Sequence, residues 1–325
     1  MKPLLPTIIA LLCLTLCPAF AGHNQRQAAK KQPRSTDVSS PQPRPWFVKA
    51  LRIIGLIAGI YVCLLVLMLF FKDRFIYHPV RYSAKNWEKP GSVDECWMET
   101  EDGLRLNAWW RPADAPENAP TLLWLHGNAG NITHRSESLA MFPDSLNILL
   151  IDYRGYGKSQ GHPSEEGLYM DGEAGYRYLI NERDVSPDRI IAYGRSLGTT
   201  VALDVALRQR VAALILESPF CSAGDMAQHM FPFIPGRLLL SDRFNNVSRI
   251  AELDVPLLVV HGKKDRIVPF KQGRAVYDAA PQPKDFLPLP AAGHNDIHTV
   301  GGTQYFQQLL AFCRKYTTQD PPPQD

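Results

Sequence analysis

Three side chains far apart in the sequence have the types and surroundings needed for nucleophilic catalysis. Ser196 lies in Gly194-Arg195-Ser196-Leu197-Gly198, behind the apolar run Ile190-Ile191-Ala192-Tyr193 and ahead of the helix-compatible TTVALDVALRQR. A serine on a sharp strand-to-helix turn takes strained backbone angles, and side chains two positions away on either side would collide with the neighbouring strand and helix. Gly194 and Gly198 remove those side chains. A serine hydroxyl is a weak nucleophile at neutral pH, so a base must accept its proton and an acid must orient that base. On an open α/β sheet the partners follow in the order acid, then histidine, each after a later strand. Asp265 in LLVVHGKKDRIVP and His294 in LPLPAAGHNDI satisfy both order and position.

Other residues of the same types fit less well. His298 is the nearest rival base, but it falls where the terminal helix should begin, and His126, His162 and His261 stand before loops and read as local hydrogen-bonding groups. Among acids, Glu217 ends the preceding strand and is a geometric substitute, Asp254 is at the wrong end of its strand, and Asp296 is too close to the histidine. The negative charge that develops on a carbonyl oxygen under attack needs two donors, the amide after the nucleophile and one from the loop after the third strand. Leu197 supplies the first, and Asn128 in HGNAGN (His126 to Asn131), directly behind TLLWL, is the expected second. The alternative is that HGNAGN is only a turn before a helix. RGYGKSQG resembles the end of a phosphate-binding loop, but GxxxxGK[ST] requires glycine where Asp152 stands, so no nucleotide site is expected.

The elements that must position these groups are legible as alternating short apolar runs and longer helical patterns from about Asp94 onward, the signature of a mostly parallel sheet with helices on both faces. Strands are expected near 96–101, 104–111, 121–126, 147–153, 189–193, 212–217, 256–261 and 285–289, the first two as an antiparallel hairpin around Glu101-Asp102-Gly103. Helices are expected near 134–142, 164–180, 198–208, 271–280 and 303–315. An insertion, Ser218 to Leu253, carries the greasy stretch MFPFIPGRLLL and reads as a small lid favouring an acyl or otherwise apolar substrate group, or else as a plug of the core. Arg195, beside the nucleophile, faces either an anionic substrate or solvent.

With 325 residues, 45% hydrophobic and 21% charged, the chain is enough for one large globular domain, or for one domain plus an appendage. A formal charge of +3, without a basic run beyond residue 85, excludes a nucleic-acid footprint. Cys96, Cys221 and Cys313 show no metal-ligand spacing, so neither zinc nor a disulfide framework is expected. Residues 1–21 read as a signal-like or first apolar segment, 22–52 as a polar basic linker, 72–317 as the catalytic domain and 318–325 as a disordered tail. Between linker and domain, Ile53 to Phe71 carries no charge and is about the length a helix needs to cross a bilayer. Seven basic residues precede it (Arg26, Lys30, Lys31, Arg34, Arg44, Lys49, Arg52) and four follow closely (Lys72, Arg74, Arg81, Lys85), which keeps the linker cytoplasmic and the domain on the outer face. A cleaved export signal at 1–21 would reverse that orientation.

HGNAGN, DYRGYGKS, YGRSLG, LESPF, HGKKDRIVP and GHND together resemble the α/β-hydrolase superfamily over residues 73–316, and within it the membrane-anchored serine hydrolases of the bud-emergence-like type. The resemblance implies an eight-stranded α/β-hydrolase fold, the triad Ser196, Asp265 and His294, oxyanion donors Asn128 and Leu197, and a structural loop at Tyr153 and Arg154. The extra apolar segment at 1–21 departs from the one-anchor pattern of such proteins and puts localisation, not chemistry, in question. The expected activity is hydrolysis of a small ester or thioester through an acyl-serine, without metal or organic cofactor. Two readings compete with it: a serine peptidase related to prolyl oligopeptidase, for which no propeller or amino-terminus-binding acidic pair is found, and a non-catalytic membrane scaffold.

Overall fold

The computed structural model describes residues 45–83, 89–240 and 243–317, so the signal-like segment, most of the linker and the tail lie outside the described residues. The chain divides into two compact units, Met1–Ile57 and Ala58–Asp325. Helix α1, Pro45–Phe70, starts eight residues before the expected span. Its window of mean hydropathy 2.9 has no buried side chains. By length and composition it can cross a membrane: 26 residues at the helical rise make about 39 Å.

Eight strands form one sheet: β1 (Asp94–Glu99), β2 (Arg105–Arg111), β3 (Thr121–Leu125), β4 (Asn147–Ile151), β5 (Ile190–Arg195), β6 (Ala213–Glu217), β7 (Leu257–Gly262) and β8 (Lys284–Leu289). Their order is β8-β7-β6-β5-β3-β4-β2-β1. The sheet is mixed: β2 runs antiparallel to both β1 and β4, and the other pairings are parallel. The helices are α2 (Glu165–Asn181), α3 (Gly198–Arg208), α4 (Ala223–Met230), α5 (Phe270–Ala279) and α6 (Ile297–Thr317), with shorter turns between. The last starts six residues before the expected position and kinks at Gly302, whose φ of 52° only glycine adopts readily.

The central strands are apolar throughout because both faces are covered. In β3, Leu123 and Leu125 join the core built with Leu168 and Leu179 of α2 and Val201 and Val205 of α3. Leu122 and Trp124 point the other way, into a core with Leu309 and Phe312 of α6. The period-two alternation of a strand thus divides one continuous run between two layers. A short parallel pairing that the sequence did not announce, His78–Pro79 with Ala129–Gly130, ties the segment after α1 to the HGNAGN loop.

Candidate active site

The chain places β4 on one side of β3 and β5 to β8 on the other, so its direction across the sheet reverses at β3. Ligands on open α/β sheets bind at such a reversal, outside the carboxyl ends of the strands. Leu125, the last residue of β3, is in register with Gly194 of β5, which brings the HGNAGN loop beside the turn at Ser196.

Ser196 has φ of +51°, a left-handed conformation unfavourable for a side chain. The turn is held by Ser196 N–H donating to the Glu217 carbonyl (2.9 Å) and by the Thr199 N–H (3.0 Å) and hydroxyl (2.6 Å) donating to the Ser196 carbonyl. A Cβ on Gly194 would strike the backbone of Gly198 and Thr199, and one on Gly198 would strike the carbonyls of Leu125 and His126. The two glycines let helix α3 start against the sheet while the hydroxyl stands clear of it.

His294 Nε2 lies 3.1 Å from Ser196 Oγ, and His294 Nδ1 lies 2.7 Å from Asp265 Oδ2. Asp265 is fixed by its other oxygen, which accepts from the N–H groups of Ile267 (2.9 Å) and Val268 (2.8 Å). Burial raises the pKa of this carboxyl, but His261 at 3.4 Å, His294 and the Val268 amide more than offset it and hold it well below the usual carboxylate range. Among the described residues, neither the Leu197 nor the Asn128 backbone N–H has a hydrogen-bond partner. The Asn128 loop is otherwise pinned, its side-chain amide donating to the Ile76 carbonyl (2.8 Å) and its carbonyl accepting from the Tyr156 hydroxyl (2.7 Å). A base, its orienting acid, a strained hydroxyl and two vacant amides thus share one rim of the sheet, an arrangement suited to acyl transfer.

The rival residues are engaged elsewhere. Buried Glu217 pairs with Arg195 Nε at 3.0 Å, His298 Nε2 at 2.9 Å and the hydroxyls of Tyr193 (2.5 Å) and Tyr305 (3.0 Å). That network lies beneath the turn and absorbs both the alternative acid and the alternative base. Arg195 is neither free in solvent nor open to an anion: besides Glu217, it donates through Nη2 to the His294 carbonyl at 2.8 Å. Asp296 accepts from the Gly293 N–H (2.6 Å), shaping the loop that carries His294, and Asp254 is exposed. His126 and His261 are buried against the carbonyls of Gly127 and Val268. Arg154 binds Asp171 and Asp102, each at 2.8 Å, and the Tyr153 hydroxyl donates to the His126 carbonyl (3.0 Å), so this loop is scaffolding.

Ser196 and His294 open into a cavity of about 600 Å³. The 218–253 insertion forms one wall with Phe220, Met226 and Phe231, and Met68, Leu69 and Phe75 form another. The second wall went unforeseen: the apolar pattern of α1 gives no local sign that its last turn lines a pocket. Arg135, which also lines the cavity, was likewise not singled out.

The profile of the prolyl oligopeptidase family matches residues 164–320. An uncharacterised Mycobacterium tuberculosis protein, Rv2307c, is 35% identical over 83% of this chain and 96% of its own length. The Arabidopsis thaliana α/β hydrolase domain-containing protein WAV2 is 31% identical over 80% of this chain and 93% of its own. Among solved structures, the Pyrococcus furiosus esterase Pf2001 superposes with a TM-score of 0.58 at 20% identity, covering 74% of this chain and 99% of the esterase, a likeness of fold. Sheet order, carboxyl-edge site and these relatives agree: the chain belongs to the α/β-hydrolase family.

Proposed function

We propose that this protein is a membrane-anchored serine hydrolase of carboxylic esters or thioesters, akin to the bud-emergence-like subgroup. The observation that carries the reading is His294, within hydrogen-bonding distance of Ser196 Oγ on one ring nitrogen and of Asp265 on the other. Ser196 Oγ attacks the acyl carbonyl while His294 Nε2 takes its proton, and the Leu197 and Asn128 amides stabilise the oxyanion. The carbon–oxygen or carbon–sulfur bond breaks as His294 returns the proton to the leaving alcohol or thiol. Water, deprotonated by His294, then attacks the acyl-serine, and the bond to Ser196 Oγ breaks as His294 returns the proton to that oxygen, which releases the acid and restores the serine. Asp265 holds the imidazole and stabilises its charge. These steps require no metal or organic cofactor.

The apolar walls of the cavity support an acyl-bearing substrate, with the 218–253 insertion acting as lid. In this reading α1 is the anchor, residues 72–317 form the catalytic domain and, by the charge bias around the span, the domain faces outward. Fluorophosphonate labelling of wild type and of Ser196→Ala tests the chemistry: labelling lost in the variant is expected, and a wild type that does not react overturns it. Protease digestion of intact cells tests the side, with cleavage of the domain expected.

The prolyl oligopeptidase match favours one other reading, a serine peptidase, since the same triad cleaves amides. Faster turnover of aminoacyl amides than of p-nitrophenyl acyl esters would put that reading first.

A further inference from the structure

The cavity is mostly apolar, and the charged residues that line it are all cationic. Lys72, Arg135 and Arg195 line it, and no aspartate or glutamate does. Arg195 is neutralised by Glu217 at 3.0 Å. Arg135 has no carboxylate within ion-pairing distance among the described residues; its one hydrogen bond runs from Nη2 to the Ala129 carbonyl (2.5 Å), and its Nε is buried without a partner. Lys72 likewise has no ion-pair partner among the described residues.

Arginines with a structural role in this protein look different. Arg154 is held by two carboxylates, Arg243 contacts Glu165 and Asp73, and buried Arg111 donates to four carbonyls, those of Leu139, Phe142, Pro143 and Leu146. Arg111 shares the unpartnered buried Nε and the lack of a carboxylate, but carbonyls occupy both of its Nη groups, whereas Arg135 makes a single hydrogen bond and lines the nucleophile's cavity. Burial, with Arg195 adding like-charge repulsion and Asp152 opposing, brings its pKa down to about 10, so it stays charged at neutral pH in surroundings that do not balance the charge. Its anchor, the Ala129 carbonyl, is one residue beyond the proposed oxyanion donor Asn128.

We infer that the substrate is an acyl ester or thioester bearing a phosphate near the scissile carbonyl, and that Arg135 is the specificity-determining residue that binds this phosphate, with Lys72 assisting. Two unbalanced cations suit a phosphate better than a singly charged carboxylate, and the planar arginine fork matches its oxygens. The apolar walls take the acyl chain. This inference rests on the hydrolase reading above.

The test compares kcat/KM for three octanoyl substrates: neutral 1-octanoylglycerol, 1-octanoylglycerol 3-phosphate and octanoyl coenzyme A. The full-length protein is expected to prefer 1-octanoylglycerol 3-phosphate about tenfold or more over the neutral ester. Preference for the glycerol phosphate supports the inference and marks a lipid headgroup as the source; preference for the thioester alone, whose phosphates lie a full pantetheine arm from the scissile carbonyl, overturns the placing of a phosphate near that carbonyl. In Arg135→Gln the ratio of phosphate-bearing to neutral turnover falls about tenfold, and in Arg135→Lys part of it survives. Independently of any variant, octyl phosphate, but not octanol, protects wild-type Ser196 from a fluorophosphonate. Turnover of the neutral ester with no phosphate preference overturns the inference and leaves the hydrolase reading standing. Absence of turnover on all three substrates, together with absence of labelling, overturns both.

Discussion

Asp265 Oδ2 lies 2.7 Å from His294 Nδ1 across 29 residues of chain. The carboxylate is itself immobilised by two backbone N–H groups, so it fixes the orientation of the ring rather than following it. Asp265→Asn keeps the shape but presents the wrong group to Nδ1, and kcat on a p-nitrophenyl ester is expected to fall by about 10⁴ with little change in KM. Glu217 cannot substitute, because its carboxylate is committed to Arg195 and His298. Steady-state kinetics check this, and a kcat near wild type would show that another acid orients the base.

The left-handed φ of Ser196 makes an opposite prediction for stability. A residue with a Cβ is disfavoured there by about 1–2 kcal/mol, whereas glycine is not. Ser196→Gly should therefore be inactive yet more stable than Ser196→Ala by about 1 kcal/mol, measured by urea unfolding of the two variants side by side. Equal stability would mean that the turn relaxes when the hydroxyl is lost.

Glu217 links stability to pH. Burial works against its charge, but His298, Arg195 and Tyr193 outweigh burial and hold its pKa well below the ordinary range. Since the folded value lies below the unfolded value of about 4.3, the carboxylate contributes stability above roughly pH 4 and loses it as pH falls further. Glu217→Gln strands Arg195 beside a neutral amide and should cost about 3–5 kcal/mol at pH 7. The gap from wild type should narrow at pH 3, as paired urea titrations at the two pH values would show. Because Arg195 also donates to the His294 carbonyl, kcat should fall with stability while KM changes little.

Local patterns made much of this legible. The glycines around Ser196, the apolar runs of β3 to β7 and the order of Asp265 and His294 all reflect constraints acting within a few residues, and they carry the sheet and the meeting of the three side chains. The antiparallel placing of β2 against β4 and the burial of Arg195 on Glu217 depend on segments distant in sequence, and no local pattern encodes them. The same holds for Arg135: its sequence neighbours look like an ordinary helix start, and only the fold sets it beside the cavity without a carboxylate. Helix α1 reaches further than the expected span for a simpler reason. Counting uncharged residues marks the span that hydrocarbon tolerates, whereas the helix itself continues on the N-terminal side through Arg52 and Lys49.

The lid makes a prediction about chain length. Ala227 on α4 faces the cavity with Met226 and Met230, and a larger side chain there would fill space otherwise open to an acyl chain. Each methylene withdrawn from water contributes about 0.8 kcal/mol, so a chain that loses room for two of them loses roughly tenfold in kcat/KM. Ala227→Phe is expected to leave turnover of p-nitrophenyl acetate within about twofold of wild type, since the short acyl group does not reach α4, while the longest esters in an acetate-to-palmitate series lose tenfold or more. A uniform loss across the series would instead show that α4 supports the fold rather than bounding the acyl chain, and unchanged selectivity would place the chain along the wall formed by Met68, Leu69 and Phe75.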